Sequence, residues 1–203
     1  WIDSETLTPA NTAQILSCCD GLIIPGGFGS RGIEGMICAA RYARENETPL
    51  LGICLGMQIM VIEFARSILG EFDENSQHKV IDFMPDQSET IAKGGTLRLG
   101  AYPCHITPGT VLHRCYGTDL IQERHRHRYE FNNDYREALI QAGLTVGGLS
   151  PDGHIVETIE ITPHPFYVGV QFHPEFKSRP NKPHPLFCGL VNSSLEANIK
   201  RNS

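Results

Sequence analysis

Leu50-Leu51-Gly52-Ile53-Cys54-Leu55-Gly56-Met57-Gln58 decides the fold. Residues 50–53 form a continuous apolar run, which reads as a buried strand. From Leu55 to Ile68 the apolar residues Ile59, Ile62, Phe64 and Ala65 fall at helical spacing, and Gly70 marks a stop. Strand, tight turn and helix around one cysteine make a G-x-C-x-G pattern, the thiol counterpart of a nucleophile elbow. Glycines two residues either side let neighbouring segments approach without a Cβ in the way. The helix N-terminus beneath the sulfur favours the thiolate, which is the nucleophilic form. The bland alternative is a structural cysteine buried in a glycine-rich turn.

Working outward, Gly21-Leu22-Ile23-Ile24 reads as a second buried strand that ends at Pro25-Gly26-Gly27. Ile33 to Arg44 reads as a helix with Ile33, Ile37 and Ala40 on one face, broken at Thr48-Pro49. Continuous rather than alternating apolar strands, each followed by a helix, predict an α/β fold: a mostly parallel central sheet with helices on both faces. Thr96–Tyr102, Leu144–Leu149, Ile155–Ile161 and Tyr167–Phe172 read as further strands, with little helix between the last three. They predict a small antiparallel subsheet. Asn133–Ala142 reads as a short helix with an Asn at one end and Gly143 at the other. Leu186–Ile199 reads as a closing amphipathic helix with Phe187, Leu190, Val191 and Leu195 turned inward. Asp73–Ala92 is polar and irregular, as expected of a mobile surface loop.

The chain has 203 residues, enough for one domain with a sizeable core. Its net charge of −6 argues against a nucleic-acid binder. No apolar run reaches the roughly 18 residues that span a bilayer. Trp1-Ile2-Asp3-Ser4 has neither an initiator Met nor the basic-then-apolar character of a signal segment, so the sequence reads as part of a longer chain. The seven cysteines are odd in number and show no C-x-x-C spacing. They read as reduced thiols of a cytoplasmic protein, most of them small core hydrophobes.

A cysteine nucleophile needs a base. His173 ends the apolar strand 167–172, and the end of a parallel strand is where such sheets present ligands. Glu175 stands two residues on, where an extended chain points it the same way and lets it orient the imidazole. Pro25-Gly26-Gly27-Phe28-Gly29 matches neither G-x-G-x-x-G nor a Walker sequence. It reads either as an ordinary tight turn or as half of an oxyanion hole. In the second reading the Gly27 and Leu55 N–H groups face a tetrahedral oxyanion.

Pro25-Gly-Gly-Phe-Gly29, Gly52-Ile-Cys-Leu-Gly-Met-Gln58 and His173-Pro-Glu175, in this order, resemble the class I, triad-type glutamine amidotransferases. Gly94-Gly-Thr-Leu-Arg-Leu-Gly100, Glu123-Arg-His-Arg-His-Arg-Tyr-Glu130 and Gln171-Phe-His-Pro-Glu-Phe176 are similar to the glutaminase domains of the CTP synthase family. The likeness runs from about residue 13 to 195. It implies a single glutaminase domain over residues 1–203, hydrolysing L-glutamine through a thioester on Cys54 with His173 and Glu175. It implies further that ammonia passes to a synthetase domain of the same chain, which lies outside this sequence. There ATP and Mg2+ would support amination of UTP, and homo-oligomers are expected only of the full-length enzyme. The domain itself is expected to need no cofactor or metal, and no nucleic acid or membrane partner. Carried over by position, Gly27, Phe28, Leu55, Gln58 and Arg128 contact the substrate, Arg128 taking the α-carboxylate. A guanidinium fork suits that task. The family pattern Asn-Ser-Thr-Glu-Phe is interrupted here: Asn75-Ser76 is followed by Gln77-His78-Lys79, so the Glu that receives the α-ammonium has no counterpart.

Arg124-His125-Arg126-His127-Arg128 has other readings: a His-x-His metal pair, a nucleic-acid contact, or a solvated face paired with Glu123 and Glu130. For the whole chain the alternatives are a Cys-His-Glu hydrolase of other γ-glutamyl substrates, a non-catalytic regulatory domain, and a nucleotide-binding module using the Gly26-Gly27 turn.

Overall fold

The computed structural model describes residues 1–70, 79–83 and 97–203. The Asn75-Ser76 departure and most of the 73–92 segment lie outside these residues; of the latter, Ile81–Phe83 forms strand β3. Among the described residues the helices are α1 (Thr12–Leu16), α2 (Ile33–Glu45), α3 (Leu55–Ile68), α4 (Val111–Tyr116), α5 (Arg136–Gln141) and α6 (Pro185–Arg201). The other strands are β1 (Leu22–Ile24), β2 (Leu50–Ile53), β4 (Arg98–Ile106), β5 (Leu120–His127), β6 (Tyr129–Phe131), β7 (Leu144–Leu149), β8 (Val156–Ile161) and β9 (Tyr167–Val170).

One sheet runs β1-β2-β9-β8-β7-β4-β5, and β3 pairs with β6 separately. The continuous apolar runs of β1, β2 and β9 pair parallel, with Leu22 opposite Leu50 and Ile53 opposite Val170. From β9 onward the same sheet continues antiparallel through β8, β7, β4 and β5. Strand alternation sorts the core onto two faces. Leu50, Tyr167 and Ile159 pack under α2 and α3, while Leu51, Val168 and Val170 pack under α4 and α6. The α/β architecture with helices on both faces is therefore the expected one.

Three expectations need correction. In α6 the inward ridge is Leu186, Leu190 and Ser194, the last packed against Gly21. Val191 and Leu195 lie on the far side, 55% and 58% exposed. Of the seven free cysteines only Cys54 and Cys104 are buried; Cys18 is exposed and the others are half-buried. The 133–142 segment is a 3-10 turn, capped by the Asn132 side chain on Asp134 N–H, that leads into α5.

No helix among the described residues is long and apolar enough to cross a membrane.

Candidate active site

Cys54 is the residue between β2 and the first turn of α3. Its φ of 51° and ψ of −101° lie where a side chain is strained, at about 1–3 kcal/mol for such a conformation. Neighbouring structure holds it there. Its N–H donates to Val170 O at 2.7 Å, and its carbonyl accepts from Gln58 N–H at 3.3 Å. The two flanking glycines are required by packing. A Cβ on Gly52 would stand 2.7 Å from the Gly56 carbonyl carbon, and one on Gly56 would stand 2.9 Å from that of Ile24. The turn is thus pressed against β1, and the cysteine side chain stands out from it.

His173 follows β9 and opens a 3-10 turn, Pro174–Phe176. Glu175 therefore does not lie in an extended segment as the sequence suggested; the turn brings its carboxylate back instead. Its Oε1 accepts from His173 Nδ1 at 2.6 Å. With Nδ1 protonated, Nε2 is left free. It is buried, has no hydrogen-bond partner among the described residues, and feels the Cys54 sulfur electrostatically. Gly26 backs both groups: a Cβ there would be 2.8 Å from His173 Cε1 and 3.6 Å from Cys54 Cβ. Burial works to lower the His173 pKa, but the Cys54 sulfur and Glu175 outweigh it and push it up to about 9. Burial likewise opposes ionisation of Glu175, yet the His173 hydrogen bond holds its pKa below the ordinary value.

Gly27 sits beside Leu55, since a Cβ on Gly27 would meet Leu55 Cδ2 at 3.1 Å. Neither backbone N–H donates to a partner among the described residues. Phe28 is exposed, with the Arg126 guanidinium 5.6 Å above its ring. Gln58 lies one turn along α3 and donates from Nε2 to Tyr129 O at 3.2 Å. Arg128 is half-buried in the bend between β5 and β6, next to that carbonyl. Among the described residues it makes no ion pair.

A family model described as Glutamine amidotransferase class-I matches residues 2–193. The chain belongs to the class I glutamine amidotransferases. This amidotransferase domain is 56% identical to CTP synthase of Carboxydothermus hydrogenoformans over 205 residues, covering 98% of this chain and 38% of the relative. It is 57% identical to CTP synthase of Roseiflexus castenholzii over 204 residues, covering 97% and 37%. It thus spans less than two fifths of the length of these curated relatives. Among solved structures, the glutaminase domain of Trypanosoma brucei CTPS with bound acivicin superposes with a TM-score of 0.89 at 35% identity, covering 97% of this chain and 80% of that one.

In this amidotransferase domain the 124–128 run is divided: Arg124 and Arg126 are exposed on the solvent side of β5, while His125 and His127, with Ile121 and Glu123, point inward and are buried, and Arg128 follows in the bend. His127 Nδ1 donates to Tyr129 O at 2.9 Å, so its Nε2 is bare and accepts from His125 Nδ1 at 3.2 Å. Burial, first of all, lowers the pKa of both rings, to about 4 for His127 and about 2 for His125. No group of metal-ligand residues is found among the described residues.

Sequence reasoning missed how β5 braces the site. His173 N–H donates to Arg124 O at 2.8 Å. Lys177, just past the Glu175 turn, donates to Gln122 O at 2.6 Å and pairs with buried Glu123 at 3.0 Å. Burial opposes the Glu123 charge, but His184 and Lys177 prevail and lower its pKa. Alternation from 120 to 127 was the available signal. Arg126 O stands 3.9 Å from Cys54 Sγ, and buried Gln171 points Nε2 at the same sulfur from 3.7 Å.

Proposed function

We propose that this domain hydrolyses L-glutamine to glutamate and ammonia, and that the ammonia serves ATP-dependent amination of UTP to CTP by a synthetase domain of the same chain. The observation that carries the reading is the strained, buried Cys54 set against a His173 that Glu175 orients at 2.6 Å. Membership of the class I family and high identity to CTP synthases support it.

In this mechanism His173 Nε2 takes the Cys54 proton, and the thiolate adds to the side-chain amide carbon of glutamine. Negative charge moves to the carbonyl oxygen, where the Gly27 and Leu55 N–H groups receive it. The imidazolium returns its proton to the amide nitrogen, the C–N bond breaks, and ammonia leaves a γ-glutamyl thioester. Water, deprotonated by His173, adds to the thioester; the C–S bond then breaks and glutamate departs. Glu175 keeps one tautomer in place and stabilises the imidazolium. Arg128 takes the α-carboxylate, while Phe28 and Gln58 contact the substrate. A cytoplasmic location follows from this reading of the chain.

Incubation with a glutamine-like electrophile, followed by peptide mass spectrometry, tests the assignment. One adduct is expected, on Cys54, together with ammonia release from glutamine; both vanish in Cys54→Ala. Adducts spread across several cysteines, or a folded domain that releases no ammonia, would refute the reading. Faster turnover of γ-glutamyl peptides than of glutamine would transfer the same machinery to another substrate.

A further inference from the structure

Gln171 is fully buried beside the thiol and takes no part in the steps above. Its backbone N–H donates to Glu157 O at 2.8 Å, which fixes the main chain at the end of β9. Its side chain bridges two groups: Oε1 lies 3.1 Å from Gln58 Nε2, and Nε2 lies 3.7 Å from Cys54 Sγ.

An amide has two ends of opposite character, and here a backbone atom decides which end faces the sulfur. The Tyr129 carbonyl is an acceptor only, so Gln58 must present its amino group there, at 3.2 Å. The second hydrogen of that amino group points to Gln171, which must answer with its oxygen. The Gln171 amino group is thereby turned to Cys54. The Tyr129 carbonyl is itself steadied by His127 Nδ1–H at 2.9 Å.

The sulfur's other polar contact has the opposite preference. As a thiol, Cys54 donates toward Arg126 O from 3.9 Å. As a thiolate it is repelled by that carbonyl dipole and attracted to an N–H. Ionisation therefore weakens the contact to Arg126 and strengthens the one to Gln171. We propose that Gln171 is a further catalytic residue, its side-chain N–H donating to the Cys54 thiolate, with Gln58 and the Tyr129 carbonyl setting the direction of that donor.

The proposal rests on the reading of Cys54 as the nucleophile, but its test does not require turnover. Alkylation of Cys54 by iodoacetamide, followed by mass spectrometry of its peptide across a pH series, reports thiolate formation alone. A hydrogen bond to a charged group is strong enough that its loss in Gln171→Leu should move the midpoint upward by about one pH unit. Gln171→Glu keeps the volume and the acceptor toward Gln58 but shows the sulfur an oxygen, so its midpoint should move further. In the unsubstituted chain the Gln171 side-chain amide resonances should shift with the same midpoint as alkylation, a measurement that survives if a variant does not fold. Unmoved profiles in folded variants, or amide resonances indifferent to Cys54 ionisation, overturn the proposal. Normal ammonia release with unmoved profiles refutes Gln171 alone. Shifted profiles in a domain that releases no ammonia from glutamine support Gln171 and remove the substrate reading instead.

Discussion

Gly26→Ala probes the placement of the base more cleanly than removal of any reacting group. The new methyl carbon would lie 2.8 Å from His173 Cε1, 3.5 Å from Nδ1 and 3.6 Å from Cys54 Cβ. An ordinary contact begins near 3.4 Å, so the ring must retreat by about 0.6 Å. It has little room to do so. The ring is stacked on Phe176 at 4.8 Å between centroids, and Nδ1 is tied to Glu175. Overpacking of this kind destabilises by ~1–3 kcal/mol, and the loss of glycine freedom in the unfolded chain offsets ~0.4–1 kcal/mol of that. A drop in Tm of a few degrees is expected, since each kcal/mol corresponds to roughly 2–4 °C in a domain of this size. Catalysis should suffer far more. A 1 Å misplacement of reacting groups can lower a rate about 100-fold, so a shift of this size should lower kcat for ammonia release by about 10- to 100-fold. Thermal unfolding and a coupled ammonia assay on the same preparation measure both. A folded Gly26→Ala domain with kcat within about twofold of the parent would show that the imidazole does not stand where the reasoning needs it.

Three further outcomes are expected. In Cys54→Ala the His173 titration, followed by NMR, should fall by at least about one unit from its value near 9, because burial then acts with only Glu175 against it. In the parent the stability contributed by the raised His173 pKa is fully present below pH 6.5 and is lost as pH rises through about 9, so the stability gap to Cys54→Ala should narrow across that window. Arg98→Met strips the partner from Glu157, whose carboxylate Arg98 meets at 2.5 Å with both side chains buried. Burial already pushes the Glu157 pKa up to about 7 against the pull of Arg98. The variant's folded Glu157 titrates higher still, so its stability holds below about pH 4.5 and falls as pH rises. The deficit in unfolding free energy, measured by denaturant titration, should grow toward ~3–5 kcal/mol at alkaline pH, and a deficit that does not change with pH would be the contrary result.

The parallel half of the fold was legible because its residues obey simple patterns. Leu50-Leu51-Gly52-Ile53 is apolar on both faces, as a strand covered on both sides must be, and α3 repeats its apolar residues at helical spacing. The gathering of Cys54, His173 and Glu175 was legible because strand ends and a glycine-flanked turn leave signatures in sequence. β5 was not legible because it inverts the usual code: its buried positions hold Glu123, His125 and His127, so polarity and burial run together. Hydrogen-bonding partners make that burial tolerable: Tyr116 and Tyr129 from nearby, Lys177 and His184 from distant segments. In α6, Val191 and Leu195 look as core-like as Leu186 and Leu190, and composition alone cannot tell which ridge the sheet will meet. The role of Gln171 was hidden for a related reason, since an amide inside an apolar strand end has a direction only once its neighbours are known.

The link from Cys54 N–H to Val170 O carries the β2–β9 ladder up to the cysteine, and His173 follows three residues further along the same strand end. The interstrand repeat of roughly 4.8 Å, a constant of the polypeptide backbone, therefore sets the scale on which the two segments approach. Of the long excursion of chain between them, β5 shares that task, through Arg124 O on His173 N–H and Arg126 O beside the sulfur. Insertions and deletions in the exposed connections of the excursion are compatible with an unchanged pair, provided β2, β9 and β5 keep their places. Proximity in this scaffold is inherited from main-chain periodicity, and the loops around it are free to diverge.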